Sequence, residues 1–467
     1  MNRAEVESRS DLKMGTEPIR KLLARMAAPM VVAMVVNGLY YLVDAAFVGW
    51  GVGADGLAGL AIVFPPQMLL IAIGSWLATG ASSVISLQLG AGDREGASST
   101  VRTVVGFCLI LGVIVPVVML SIQQPLLGAL GATDSTYVHA AGYYGWIMSG
   151  LVFVLLSFVG VNTSRGEGNA RTAASAMMLG SVLNVILDPL FIFGLDMGTA
   201  GAAVATVMAR AITCAYLFRF YCGGGSTLAL RGGSWRPVRA LLVRSLALGV
   251  GPFFNQICLS LLAVVMVVSL SRYGTVSDIA VYGVIGRIYI FVGQPLMGLA
   301  MGLQPVVGYN FAARRLDRVV MAVKVALGYA GVLGFGLLVL LAGFPGLVLS
   351  GFTSDSGVIA AGIAPLRTMV LMTPIVGVQL VSYFYFMAVG RGLLSLVISI
   401  SRSFLFLVPL VLAMPLWLGA DGIWLAYPVA DVLSVAVSGL LLVRAVHFPG
   451  QREMASPGPA MVAETQR

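Results

Sequence analysis

Charge is what this chain most lacks. Only 10% of its 467 residues are Asp, Glu, Lys or Arg, while 59% are hydrophobic, and the mean hydropathy is +0.96. A soluble domain is about 25% charged and about 45–50% apolar. So large an apolar surplus has no place inside a globule, which excludes cytosolic, nuclear and secreted enzymes and makes lipid the solvent. Histidine is nearly missing: His139 and His447 are the whole supply, leaving little for histidine-based catalysis. Cys108, Cys214, Cys222 and Cys258 lie in or beside apolar runs with no CxxC spacing, so neither a disulfide framework nor a metal cluster is expected. No GxxxxGK[ST] loop and no HExxH helix occurs, which argues against an ATP-driven pump and a zinc protease. No cofactor is called for, and the reading is not that of an enzyme.

What the chain has in abundance is apolar runs. A membrane helix needs about 20 such residues to cross about 30 Å of hydrocarbon. Twelve qualify: 22–50, 57–89, 101–121, 138–161, 172–194 and 200–221, then 241–270, 279–309, 319–343, 364–388, 393–416 and 421–446. They are numbered here as spans 1 to 12. The fold class expected is an all-α polytopic membrane protein of two six-helix lobes. Its segments are a polar N-terminal stretch 1–21, an N-lobe 22–221, an inter-lobe loop 222–240, a C-lobe 241–446 and a disordered tail 447–467. The polar first 20 residues carry no signal-peptide pattern.

Orientation follows from Lys and Arg, which favour cytoplasmic loops. The N-terminus and the loops on its side of the membrane hold 23 of the 28 basic residues; the other side holds Arg272 and Arg367. Arg210, Arg287 and Arg402 fall within spans. Both termini are therefore expected in the cytoplasm of a bacterium, with the chain in its inner membrane. The net charge of +9 is accounted for by these loops and calls for no nucleic acid.

The two halves repeat each other. Trp76–Ala97 lies against Gly298–Val319 at an offset of 222, with Leu77, Ala78, Gly80 and Val84 matching Leu299, Ala300, Gly302 and Val306. Pro189 matches Pro409 at 220, and Gly201 and Ala205 match Gly422 and Ala426 at 221. An offset of six spans, an even number, relates the halves by an axis along the membrane normal.

The segments NGLYYLVDAAFVGW (37–50), SLQLGAGDREGA (86–97), LNVILDPLFIFGLDMGTAGAAVAT (183–206) and QPVVGYNFAARRLDRV (304–319) resemble the multidrug and toxic compound extrusion (MATE) transporters. The resemblance runs from about residue 20 to 446. It implies a V-shaped bundle that exports organic compounds, cationic or amphipathic, in exchange for H⁺ or Na⁺. Alternating access would come from the lobes rocking about a central cleft, in a protein working as a monomer. A lipid-linked oligosaccharide flippase of the same broad superfamily is the competing reading. Those proteins tend toward fourteen spans and several cavity arginines. A membrane-embedded enzyme is a distant third.

A carboxylate at mid-membrane costs about 2.5–3.5 kcal/mol, so each one asks for a reason. Asp44, Asp188 and Asp431 lie well within spans. At 1.5 Å per residue, Asp44, Asp188 and Thr206 each lie roughly 9 Å below the outer boundary. Tyr40 and Asn184 stand four residues before Asp44 and Asp188, on the same helix faces. Five polar groups thus converge on one depth band. The family's N-lobe cation site is formed by residues matching Asp44, Asn184, Asp188 and Thr206. A carboxyl pair can load and release a proton as one coupled unit, and with the amide and hydroxyl it also offers oxygens to Na⁺. Two other readings stay open: Asp188 capping the turn broken by Pro189, and Arg210 pairing with one carboxylate.

In the C-lobe, Asp431 lies at a depth comparable with Arg287 and Arg402, which suggests a structural ion pair. Gln67, Gln256, Gln294, Gln304 and Tyr383 are candidate cleft or substrate residues. Pro29 should kink span 1, and the 22 methionines offer adaptable apolar walls.

Overall fold

The computed structural model describes residues 14–230, 234–353 and 355–447. The expected tail, apart from the backbone of its first residue, lies outside these, as do residues 1–13. All regular structure among the described residues is helical.

Ten helices are long and apolar enough to cross a membrane: Ile19–Tyr40, Ala58–Gly90, Arg94–Ser121, Ala170–Gly194, Gly198–Cys222, Arg239–Tyr273, Ser277–Ala312, Leu316–Gly343, Gly392–Leu418 and Ala420–Val446. Two further spans are each made of a bent pair, Thr136–Ser149 with Leu151–Gly166 (53°) and Ser356–Val370 with Thr373–Ala388 (49°). These twelve are the twelve apolar runs.

One boundary differs from expectation. Spans 1 and 2 form an unbroken helical run, Ile19–Gly90, in place of two helices parted by a loop at 51–56. A straight helix of 72 residues would be about 108 Å long. This one doubles back, because its two ends meet the same residue. A Cβ placed at Gly15 would lie 3.6 Å from the Tyr309 ring, and one at Gly90 would lie 2.3 Å from the Tyr309 carbonyl. Glycines at 49, 51, 53 and 56 lower the cost of that bend.

The end of the bundle that carries Met14 is called the base. There Asp93 caps the start of span 3, accepting from Gly96 N at 2.8 Å. At the opposite, far end, Thr275 and Asp278 form a capping box before span 8.

The internal repeat is written in the backbone. Left-handed residues recur at the sequence offset: Gly92 (φ 80°) with Arg314 (φ 58°), and Gly168 (φ 92°) with Gly390 (φ 85°), are 222 apart. Gly198 (φ 54°) and Gly419 (φ 59°) are 221 apart. The halves also meet symmetrically. Gly80 of span 2 packs on the backbone of Ser245 and Gly249 in span 7, and Gly302 of span 8 packs on Ala27 in span 1. Gly80 and Gly302 are 222 apart, as are Ala27 and Gly249. A Cβ at Gly80 would stand 1.8 Å from the Ser245 carbonyl oxygen, so only glycine permits this approach.

The inter-lobe loop does not hang free. Arg102 donates to Ala229 O at 3.0 Å, Ala229 N to Ser98 Oγ at 3.0 Å and Val238 N to Thr103 Oγ1 at 3.3 Å. The loop is thereby tied along span 3 of the N-lobe.

Candidate functional site

Five predicted residues come together in the N-lobe. The carboxyls of Asp44 and Asp188 lie side by side, close enough to interact. Asp188 is fully buried, and its Oδ1 finds no N–H or O–H donor elsewhere among the described residues. Asn184, also buried, joins the pair to span 6. In the amide orientation that satisfies its surroundings, it donates to Asp188 Oδ2 at 3.0 Å and accepts from Thr206 Oγ1 (3.1 Å) and Thr206 N (3.0 Å). Two carboxyls this close repel when both are charged, which favours a proton on one of them.

Pro189 does interrupt the ladder of span 5, which continues as a π-helical turn over Leu190–Gly194. Neither Asn184 nor Asp188 caps that break: Asn184 points at Asp188 and at Thr206 of span 6, and Asp188 at Asp44 of span 1. The π turn re-aims the end of the span.

Beside the pair lies a cavity of about 10 Å³, room for one water-sized guest, lined by Tyr40, Ser181, Asn184, Thr206 and Arg210. Arg210 does not neutralise the carboxyls. Its guanidinium sits 5.6 Å from the centre of the Phe158 ring, and the ion pairs found among the described residues leave it out. No group of three or more His, Cys, Asp or Glu among the described residues is placed to hold a metal ion. The C-lobe carries Met266 at the position 222 residues beyond Asp44 and Val408, the residue before Pro409, at the position matching Asp188, so neither carboxylate is repeated in the C-lobe.

The C-lobe ion pair has two members, not three. Arg402 Nε meets Asp431 Oδ1 at 2.5 Å, and the same guanidinium bonds the Tyr289 hydroxyl. Arg287 stays outside: it is exposed and stands apart from this cluster. Helix periodicity explains why, since Tyr289 is two residues on and faces the other way.

The candidate cleft residues separate into those near the gap and those shut away from it. Gln67 donates to the Tyr143 hydroxyl at 3.1 Å within the N-lobe, and Gln256 donates to Met68 Sδ at 3.3 Å across the lobes. Gln294 packs against Gly38, with its Oε1 buried and unpaired. Gln304 and Tyr383 do not face open space. Gln304 is fully buried, donating to Ser83 Oγ at 2.6 Å and accepting from Arg165 at 2.9 Å. Tyr383 is buried against Gly251 and Phe384. Both sit where the two lobes close on each other at the base.

Arg165 is one of the 23 basic residues that the sequence assigns to the N-terminal side and its loops, and the structure places it in the interior instead. It is fully buried, bonded to Asn162 Oδ1 (2.7 Å) and Gln304 Oε1 (2.9 Å), with Nε and Nη1 unpaired. Glu167, also fully buried, accepts from Ser226 Oγ (2.6 Å), Asn169 Nδ2 (3.0 Å) and Thr227 N and Oγ1 (3.2 Å each). Burial pushes its carboxyl up to about 7 against the lowering pull of those bonds. Nothing in a single sequence separates such residues from ordinary loop charges.

The N-terminal segment also spans the base. Met14 O accepts from Asn310 and Arg318 of the C-lobe, at 3.1 and 3.2 Å, while the Met14 side chain packs on Gly168 of the N-lobe.

Comparison with known proteins places this architecture. The MatE family model matches residues 29–190 and again 252–412. The chain belongs to the MATE family. The second match begins 223 residues after the first and ends 222 after it, which is the repeat read from the sequence. Among curated relatives, the multidrug export protein MepA of Staphylococcus aureus (strain NCTC 8325) is 23% identical over 428 residues, covering 91% of this chain and 94% of its own. MepA of Staphylococcus haemolyticus is 25% identical over 297 residues, 64% of this chain and 66% of its own. A multidrug resistance MATE family transporter of the MOP superfamily, solved in an outward-facing conformation, superposes with TM-score 0.89 at 26% identity, covering 93% of this chain and 98% of that one. A MATE structure in a bent conformation gives 0.87 at 26% identity, covering 95% and 99%. As a MATE protein, this chain is a multi-pass membrane transporter and not an enzyme.

Proposed function

We propose that this MATE protein exports amphipathic organic compounds across a bacterial cytoplasmic membrane in exchange for protons, working as a monomer. The adjacent Asp44–Asp188 pair carries the coupling side of this reading. Two such carboxyls can take up and release a proton as one unit, with Asn184 and Thr206 fixing the geometry of Asp188. Taking the base as cytoplasmic, as the distribution of Lys and Arg favours, the conformation is open outward. The hydrogen bonds between lobes lie toward the base, and the outermost of those found among the described residues is Gln256 to Met68. Beyond it Gly283, Gly286 and Gly293 meet nothing within 4 Å. A proton entering from outside neutralises the pair. The lobes then exchange their contacts, and the proton leaves inward when the base opens.

The test is efflux from proteoliposomes under separately imposed gradients. A pH gradient alone should drive it. Efflux driven by Na⁺ with no pH gradient would reassign the pair to Na⁺.

A further inference from the structure

Arg287 is the group that the reading above leaves unused. It lies in span 8, ten residues and roughly 15 Å from the far end at Ser277, deep within the hydrocarbon. It is exposed, and no hydrogen bond, ion pair or ring contact joins it to another described residue. The one carboxylate in reach by depth, Asp431, is taken by Arg402 at 2.5 Å. A lone guanidinium facing lipid is costly, and such residues face water-filled pathways instead.

The helix shows which way it faces. Val281, Ile285, Ile288 and Val292 form the buried stripe of span 8. Arg287 is seven residues from Gln294 and eleven from Gly298, so each lies within about 20° of Arg287 around the helix. Gln294 packs against Gly38 of span 1, and Gly298 packs on Met30 and Val31 of span 1. The face that seals the two lobes near the base is therefore the face that carries Arg287 two turns farther out. There the lobes have parted: Gly283 and Gly286 meet nothing within 4 Å, and Ile290 is 64% exposed. Arg287 looks into the gap between the lobes. The wall opposite and beside it is apolar, with Leu39 47% exposed, and the acidic pair of the N-lobe is engaged with itself.

We propose that Arg287 is a substrate-binding residue that selects amphipathic compounds bearing an acidic group, such as a carboxylate or sulfonate. The guanidinium fork pairs with such a group in two-point fashion, and the apolar walls take the body of the molecule. This deepens the export reading by naming the substrate class, in place of the cationic class the family resemblance implies, and it rests on that reading for the direction of transport.

The experiment uses the full-length protein and two matched probes, a rhodamine with a free carboxyl group and the methyl ester of the same dye. Binding is read by fluorescence polarisation in detergent, and export is read separately in proteoliposomes. Wild type should bind the acid about tenfold more tightly than the ester, the range expected of a charge-assisted hydrogen bond. Arg287→Gln should remove that preference and leave ester binding and the thermal midpoint unchanged. Arg287→Lys should keep part of it, and Arg287→Glu should reverse it. Equal losses for both dyes, a wild-type preference for the ester, or no binding of either dye overturns the proposal. Export of the acid that is unchanged by Arg287→Gln sinks this inference while export itself stands. Arg287-dependent binding without gradient-driven export does the opposite.

Discussion

Arg165 donates to Gln304 Oε1 at 2.9 Å across the boundary between the lobes, and Gln304 donates back to Ser83 at 2.6 Å. A chain of bonds from Asn162 through Arg165 and Gln304 to Ser83 thus stitches spans 4, 8 and 2 together. It is an uneasy stitch. The guanidinium is fully buried with two nitrogens unpaired and no ion pair among the described residues, so the closed base bears a desolvation cost that opening would relieve.

Arg165→Met should therefore hold the base shut. Methionine fills similar volume without a charge, so thermal stability should rise by about 1–4 kcal/mol and turnover should fall. Cysteine labelling at the base would check it, with reduced reagent access expected. Gln304→Leu should do the reverse, costing about 2 kcal/mol by removing an acceptor from a buried charge.

The coupling pair makes a sharper demand. Asp44→Asn and Asp188→Asn should each abolish proton-driven efflux while leaving the protein folded and inserted, since removing a buried charge does not destabilise a membrane interior. The double variant should be no worse than either single one, because one missing carboxyl already ends a shared titration. Efflux and circular dichroism on the three variants decide the matter. Normal proton dependence in Asp188→Asn would dissolve the assignment.

In the C-lobe the expectation inverts. Asp431→Asn strands Arg402, a buried cation held by that carboxylate, and should lower stability by about 3–5 kcal/mol. Efflux per folded molecule should hardly change. Melting curves on purified protein, set beside transport normalised to folded protein, give the comparison.

Glu167 predicts a pH dependence of known sign. Its carboxyl is pushed up to about 7 by burial, whereas in the unfolded chain it titrates near 4.3. Between about pH 4.3 and 7 the folded protein keeps a proton that the unfolded chain has released. Its contribution to stability therefore falls as pH rises through that window and is flat above it. Glu167→Gln should lack this slope. Its thermal midpoint should match wild type near pH 4.5 and exceed it at pH 7.5. A wild-type midpoint that climbs relative to the variant over the same range would contradict the assignment.

Orientation is checked by reporter fusions. Fusions after Gly131 and Gly419 should read as external and one after Gly224 as cytoplasmic. An external signal at Gly224 would invert the topology and, with it, the outward-open reading.

Sequence by itself determined the number of spans, the pairing of the halves and the converging depth of Asp44, Asn184, Asp188 and Thr206. Each of these is carried by local quantities: run length, chain offset and helical rise do not depend on which neighbour a side chain meets. Tertiary structure decided the partners. Asp431 had two candidate arginines at one depth, and only packing chose Arg402 and turned Arg287 into the gap. Gln304 and Tyr383 looked like cleft residues because polar groups in apolar spans all look alike in sequence. Their burial follows from how the lobes close, through glycines hundreds of residues apart. Arg165 and Glu167 are likewise indistinguishable from loop charges in sequence. A charge near a span end is solvated or sealed according to what packs over it, and here the opposite lobe seals one and the inter-lobe loop the other.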